Sequence, residues 1–256
     1  MTELGGPFDI AAAAGWYSAV AGLLAGFALL AILLPLDHEA AEPDTTHASN
    51  AVVIYTCSFF SLLILSISYA VLAGRTGEGT AAAVAAHEQM LNGVAFGLAT
   101  LLLLLGLHAV LRTYGANREV FAPARAVILT VTSVIAPALV LALQFSNTLE
   151  LQRYRADGAA AALPGGVVAN LVIVGIGAAA ILLVAAARNR LPVAATAPRI
   201  IAQAVLAYTV AVTLWTSVAV PLLPLAVVTS PALEHGLLGL TAIGAVAVSI
   251  ASWAGR

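Results

Sequence analysis

The chain has 256 residues, of which 62% are hydrophobic and 9% are charged, and its mean hydropathy is +1.03. A soluble domain carries about 25% charged residues, so this chain has too little charge to cover a water-facing surface. Its single cysteine excludes an intramolecular disulfide, the absence of lysine excludes a retinal Schiff base or a lysine nucleophile, and the net charge of −2 offers no basic surface for nucleic acid.

The first two apolar segments flank an acidic loop. The first covers about residues 15–34 and ends at Pro35, since proline cannot continue a helix. No basic residue precedes it, so we expect a retained span rather than a cleaved signal peptide. The second covers about residues 50–72, and either Ser49 or Asn50 is placed to cap it.

The third segment, about residues 80–112, is longer than a membrane requires. Its 33 residues would form a helix of roughly 50 Å, whereas the hydrocarbon core is about 30 Å thick. We therefore expect it to tilt or to protrude. Its apolar part begins near Leu91, which places His87 and Glu88 at the level of the interface.

Four further apolar segments complete the chain. Pro123 suits the first turn of the fourth segment, and Pro137 is predicted to kink it. Ser230 and Pro231 read as a cap and a first-turn proline for the seventh. The sequence predicts an all-α polytopic integral membrane protein, a bundle of seven transmembrane helices in one domain over residues 1–256. The last four spans are predicted at about residues 123–145, 164–187, 198–223 and 231–253.

The arginines predict how the bundle is oriented. Seven of the ten lie in the loops after spans one, three and five or at the C-terminus, and three lie on the other side. Since basic loops favour the cytoplasm, we expect the N-terminus outside and the C-terminus inside. A composition rich in Ala, Gly and Val without Lys is typical of a GC-rich bacterial genome, so the expected location is the bacterial inner membrane.

Spans one to three and spans five to seven share short sequence patterns that would fit an internal repeat. Span four would then be an inverting linker, which is a known transporter plan. The layout resembles that of SWEET-type sugar transporters, although the Pro-Gln signature of that family is absent. Chance similarity in an apolar sequence is the alternative. The matching pairs are His87-Glu88 with Glu234-His235, and Tyr55-Thr56 with Tyr208-Thr209.

Two His/Glu pairs, His87-Glu88 and Glu234-His235, stand at the predicted outer ends of spans three and seven. If these spans pack together, the four side chains converge and form a divalent-metal site, a proton relay or a cation site. The alternative is structural. A carboxylate in the first turn of a helix is stabilised by the dipole by about 0.3–1 kcal/mol, and histidines at an interface can face water.

Enzymatic chemistry has few supporting motifs. A seven-span zinc hydrolase of the ceramidase or adiponectin-receptor kind would show His-x-x-x-His late in the chain, where His235 stands alone, and no Gly-x-Ser-x-Gly occurs. A haem would need facing histidines, either His87 with His235 or His38 or His47 with His108. We expect a non-enzyme without a cofactor, and a divalent metal or a haem is the remaining alternative.

Neutral polar residues lie within the apolar spans. Asn170 and Gln203 lie deepest, so they are the preferred candidates for lining a solute path. Amides in helix bundles usually form interhelix hydrogen bonds, which is the alternative reading. The others of this kind are Asn92, Gln144, Asn147 and Tyr208.

Two Gly-x-x-x-Gly motifs, Gly22 with Gly26 and Gly93 with Gly97, permit close approach of helices. They serve packing within the chain, a homo-oligomer or a membrane partner protein.

These observations favour a transporter or channel for a small solute or ion, because compact bundles without a soluble domain often have this role. A non-catalytic partner or sensor subunit of a larger complex is the alternative, and a metal- or haem-dependent membrane enzyme is the second alternative. The pathway candidates are His87, Glu88, Asn170, Gln203, Glu234 and His235.

Overall fold

The structure is a computed structural model that describes residues 9–36, 45–75, 80–113, 118–155, 165–228 and 230–254. The regular elements of these residues are all helical, and seven helical spans among them are long and apolar enough to cross a membrane. A lipid-spanning helix satisfies its own backbone groups, which explains why such apolar runs become helices. The α-helices are α1 (Ile10–Leu36), α2 (Thr45–Ala73), α3 (Thr80–Thr113), α4 (Arg118–Thr130), α5 (Ala136–Arg155), α6 (Gly165–Ala187), α7 (Ala197–Leu214), α8 (Leu225–Val228) and α9 (Pro231–Ala251).

The seven predicted spans all correspond to helices, so the fold is compatible with a multi-pass integral membrane protein. Several ends lie further out than the sequence predicts, because these helices continue past their apolar stretch. Helix α2 begins at Thr45, so Asn50 lies inside it and is not its cap. The Asn50 side chain instead donates a hydrogen bond of 2.8 Å to the carbonyl of Ala195.

Two spans contain a π-helical turn directly before a proline. Val131–Ile135 joins α4 to α5 and precedes Pro137, where the sequence predicts a kink. Trp215–Ala219 follows α7 and precedes Pro221, which lies in a short 3₁₀ turn. Proline has no N–H to donate to the preceding turn, so the regular α-helical ladder is interrupted at each place.

Helix α3 lies at the centre of the bundle. It packs against α1, α2, α5, α7 and α9, and it is the most buried of the seven spans. Its leucines at positions 98, 101, 102 and 105 belong to the main hydrophobic core. Polar residues of α3 are therefore enclosed by protein rather than exposed to lipid.

Contacts along the helices fix their relative directions. Ser58 of α2 bonds to the carbonyl of Ala99 in α3, and Tyr55 lies against Gly106, so these helices are antiparallel. Leu98 of α3 packs over Gly244 of α9, and Arg112 near the end of α3 bonds to the carbonyl of Ala254 after α9, so these helices are parallel. We call the end where α3, α6 and α9 begin the amino end of the bundle, and the opposite end the carboxyl end.

Helices α1, α2 and α3 pack on one another, and α9 contacts both α6 and α7, so the predicted repeat stays a prediction. Helix α7 packs against α2 and α3, whereas α6 packs against α5 and α9.

Candidate functional site

A buried carboxylate, Glu234, lies at the amino end between α5, α6 and α9. Its residue is 1% exposed. Gln152 Nε2 donates a hydrogen bond of 2.7 Å to Glu234 Oε1, and Asn170 Nδ2 donates to the same oxygen. The other end of the Asn170 amide contacts His235, with 2.7 Å between Oδ1 and Nδ1. We call Gln152, Asn170, Glu234 and His235 the Glu234 cluster.

The local sequence explains where Glu234 is placed. Ser230 accepts a hydrogen bond from Ala232 N and Pro231 occupies the first position, so the predicted cap of α9 is confirmed. This start leaves Glu234 in the first turn, where the helix dipole favours a negative charge. The side chain is nevertheless enclosed by neighbouring helices, so it is not the water-facing cap that the structural alternative describes.

Hydrogen-bonding rules assign the proton on His235. Glu234 is an acceptor when ionised, so the Asn170 amide must present its nitrogen to it. The Asn170 oxygen then faces His235, and Nδ1 must carry the hydrogen of that 2.7 Å bond.

A second carboxylate, Glu88, is buried at the amino end between α2 and α3. It is 3% exposed and forms an ion pair with Arg75, which follows the end of α2 and is partly exposed. His87 and Asn92 beside it are also buried. The sequence therefore places Glu88 at the correct end of α3, but the side chain lies inside the protein rather than at its surface.

The two carboxylates lie at the same depth. Glu88 precedes Leu98 by ten residues and Glu234 precedes Gly244 by ten, and Leu98 packs over Gly244. Ten residues are about 2.8 helical turns, so each glutamate is rotated about its helix axis by roughly 80° from the Leu98–Gly244 contact. The rotation has the same sense in α3 and α9. Equal rotations on two facing parallel helices point to opposite sides, which is why each carboxylate has different partners.

Glu88 therefore does not join Glu234 and His235, and a convergence that includes His87 stays a prediction. No group of three or more His, Cys, Asp or Glu side chains with a metal-binding arrangement occurs in the part of the chain that the structure describes. Glu234 and His235 join Asn170, whereas Glu88 pairs with Arg75.

Gln203 does not join either group. Its neighbours Ala202 and Val205 point into the bundle, so Gln203 lies on the outer surface of α7. Gln144 behaves as the structural alternative describes, because its Nε2 donates 3.0 Å to the Met90 carbonyl across the α3–α5 interface. Asn147 continues this contact with a bond of 3.0 Å to Gln144 Oε1.

The glycine motifs lie mostly at contacts within the chain. A Cβ on Gly97 would lie 2.6 Å from Val140 of α5, and one on Gly93 would lie 2.6 Å from the Asn147 amide. Gly22 faces Ser66 of α2, whereas Gly26 has open space around it. Substitutions at Gly93 and Gly97 would therefore disturb this fold before they disturbed a partner.

A small cavity lies at the carboxyl end, lined by His47, Asn50, His108 and Arg112 among others. Its volume of about 20 Å³ has room for about one water molecule. His47 and His108 both line this cavity, and the haem alternative stays a prediction. Arg112 donates to the carbonyl of Ala254, which follows the end of α9.

Sequence reasoning missed two members of these sites. Arg75 is separated from Glu88 by a short turn, and its proximity could have been inferred from the α2–α3 hairpin. Gln152 lies beyond residue 145, where the sequence predicts the end of the fourth span, whereas α5 continues to Arg155.

Comparison of the chain with models of protein families, with curated protein sequences and with solved structures found no match.

Proposed function

We propose that this protein passes a small solute or ion across the membrane, and that the Glu234 cluster is its binding site. The cluster favours a cationic species, because a carboxylate is at its centre. The proposal includes an orientation in which the amino end faces outward, as the arginine distribution favours.

The burial of Glu234 carries this proposal. An ionised group taken out of water costs several kcal/mol, and hydrogen bonds recover only part of that cost. An apolar side chain would serve packing between α5, α6 and α9 without this penalty. An ionisable residue enclosed in a membrane bundle is therefore a candidate functional residue.

The surrounding residues have complementary roles in this proposal. Gln152 and Asn170 hold one carboxylate oxygen in place from two different helices. A cation can therefore bind to the carboxylate without any movement of these helices. His235 stands at the partly exposed edge of the cluster, where its contact with Asn170 Oδ1 helps to hold the amide that faces the carboxylate.

Flux measurements on liposomes that contain the purified protein test the proposal. We expect uptake of a monovalent cation or a proton, followed with ion- and pH-sensitive dyes. Glu234→Gln should abolish it, since the substitution keeps the shape and removes the charge. Gln203→Ala is the matched control, because Gln203 lies on the outer surface, and it should leave the flux unchanged. Absence of flux in the wild-type protein, or undiminished flux in Glu234→Gln, would contradict the proposal.

A further inference from the structure

The α2–α3 interface contains buried polar atoms that have no partner in the described protein. The Tyr69 hydroxyl and the Asn92 Oδ1 atom lack a hydrogen bond to any described residue. Tyr69 is 0% exposed and Asn92 is 2% exposed. A buried polar group without a partner costs about 1–3 kcal/mol, so a pair of them at one interface requires an explanation.

These atoms lie on the two helix faces that meet. On α3, Glu88, Asn92, Ala99 and Gly106 fall on one stripe, since spacings of four and seven residues return to the same face. Contacts at Glu88, Ala99 and Gly106 show that this stripe faces α2. Asn92 lies between them, one turn after Glu88.

Tyr69 lies on the opposing stripe of α2. It follows Ser58, which bonds to Ala99, and precedes Arg75, which pairs with Glu88. Its ring centroid is 6.1 Å from that of Phe96, one turn after Asn92. Stacking on Tyr17, with centroids 5.3 Å apart, holds the ring. Tyr69, Asn92 and Glu88 therefore share one segment of the interface, which we call the Glu88 site.

We propose that the Glu88 site binds a monovalent alkali-metal cation, which exchanges with the Arg75 guanidinium. A carboxylate, an amide carbonyl and a hydroxyl are the oxygen ligands that hard cations prefer. One carboxylate balances one positive charge, and replacing a guanidinium by a monovalent ion leaves that balance unchanged. Arg75 is 44% exposed and lies beyond the end of α2, so it can leave for solvent while α2 and α3 stay packed.

The cation would be the driving ion of the proposed transport, and only this role rests on the proposed function. Binding at the Glu88 site is independent of whether a solute passes. The site lies on the opposite flank of α3 from the Glu234 cluster and at the same depth, so each can be altered separately.

Thermal unfolding of the detergent-purified protein tests the binding. Sodium chloride is titrated against choline chloride at constant chloride concentration. Because a ligand that binds only the folded state stabilises it, we expect Na⁺ to raise the Tm in a saturable way. Glu88→Gln and Asn92→Ala should lose this rise, and Gln203→Ala, on the outer surface of α7, should keep it. Tyr69→Phe keeps the stacked ring and should weaken the apparent affinity for Na⁺.

Arg75→Gln distinguishes exchange from a purely structural ion pair. Removing the competing guanidinium should tighten Na⁺ binding by about fivefold or more, even if the protein is less stable in choline. No Na⁺-dependent rise in the wild-type protein, an undiminished rise in Glu88→Gln, or unchanged affinity in Arg75→Gln would overturn the site.

The outcomes also separate this site from the proposed transport. A Na⁺-dependent Tm that Glu88→Gln abolishes, in a protein without flux, would support the Glu88 site and refute transport. Flux that Glu234→Gln abolishes, without any effect of Na⁺ on the Tm, would support transport and refute the Glu88 site.

Discussion

The hydroxyl of Ser249 in α9 donates a hydrogen bond of 2.6 Å to the carbonyl oxygen of Ser133. Ser133 lies in the π-helical turn and is four residues before Pro137, so its carbonyl is the one that the missing proline N–H would bond in a regular α-helix. A side chain of another helix thus satisfies a backbone group that the proline leaves free.

Ser249→Ala should therefore destabilise the protein by about 1–2 kcal/mol, because a buried carbonyl loses a donor. Ser252→Ala is the control, since the buried Ser252 hydroxyl bonds only one turn back, to the Ser249 carbonyl at 2.7 Å. Thermal or denaturant unfolding in detergent measures both. Equal effects of the two substitutions would contradict a special role for the contact across helices.

Gly97→Ala should lower stability although alanine is the better helix former by about 1 kcal/mol. An added Cβ would lie 2.6 Å from a methyl group of Val140, whose branched side chain has few alternative rotamers. Gly26→Ala should be neutral or stabilising, because nothing lies within 4 Å of the added atom. Unfolding curves of both variants test this, and an unaffected Gly97→Ala would show that α3 and α5 are less closely packed.

The bond between Asn170 and Glu234 should show a measurable coupling energy. Asn170→Ala removes an amide donor from a buried carboxylate, and the loss should be smaller when Glu234 is already Gln, because a bond to a charged acceptor is stronger. We expect a coupling of about 0.5–3 kcal/mol from the four unfolding free energies of the double-mutant cycle. Additive effects would contradict a direct bond between the two side chains.

Cysteine labelling tests the orientation. Cys57 is buried, so a membrane-impermeant maleimide should leave the wild-type protein unlabelled in intact cells. Gly165→Cys, at the amino end, should label directly, whereas Asn189→Cys, beyond the end of α6, should label only after permeabilisation. The reverse pattern would place the amino end in the cytoplasm.

The sequence predicts the fold well because hydrophobic length is a direct physical requirement of the bilayer. All seven spans were located, and the cap at Ser230 and the irregularity before Pro137 follow from local chemistry. The predicted helix ends are less accurate, since α1 continues through Pro35 to Leu36 and α5 continues past its apolar run to Arg155.

The site was predictable only in part, because periodicity does not tell which helices are neighbours. Asn170 and Glu234 were each singled out, but their contact depends on the α6–α9 pairing. The depth of Gln203 along α7 favours a role in a solute path, but a helix that is buried on only one side can place such a residue outward as readily as inward. The opposite directions of Glu88 and Glu234 follow from the contact of Leu98 with Gly244, which the sequence does not predict.

The pairing of each buried carboxylate with residues earlier in the chain has a consequence for biogenesis. Arg75 is synthesised before Glu88, and Gln152 and Asn170 are synthesised before Glu234. When the ribosome delivers α3 or α9 to the insertion machinery, the group that accepts its glutamate is already in the bilayer. Neither glutamate then has to enter the bilayer without a partner. Insertion of an unpaired charged side chain would cost about 2.5–3.5 kcal/mol at the centre of a transmembrane helix. Exchanging the order of these helices by circular permutation would remove that protection from the nascent chain.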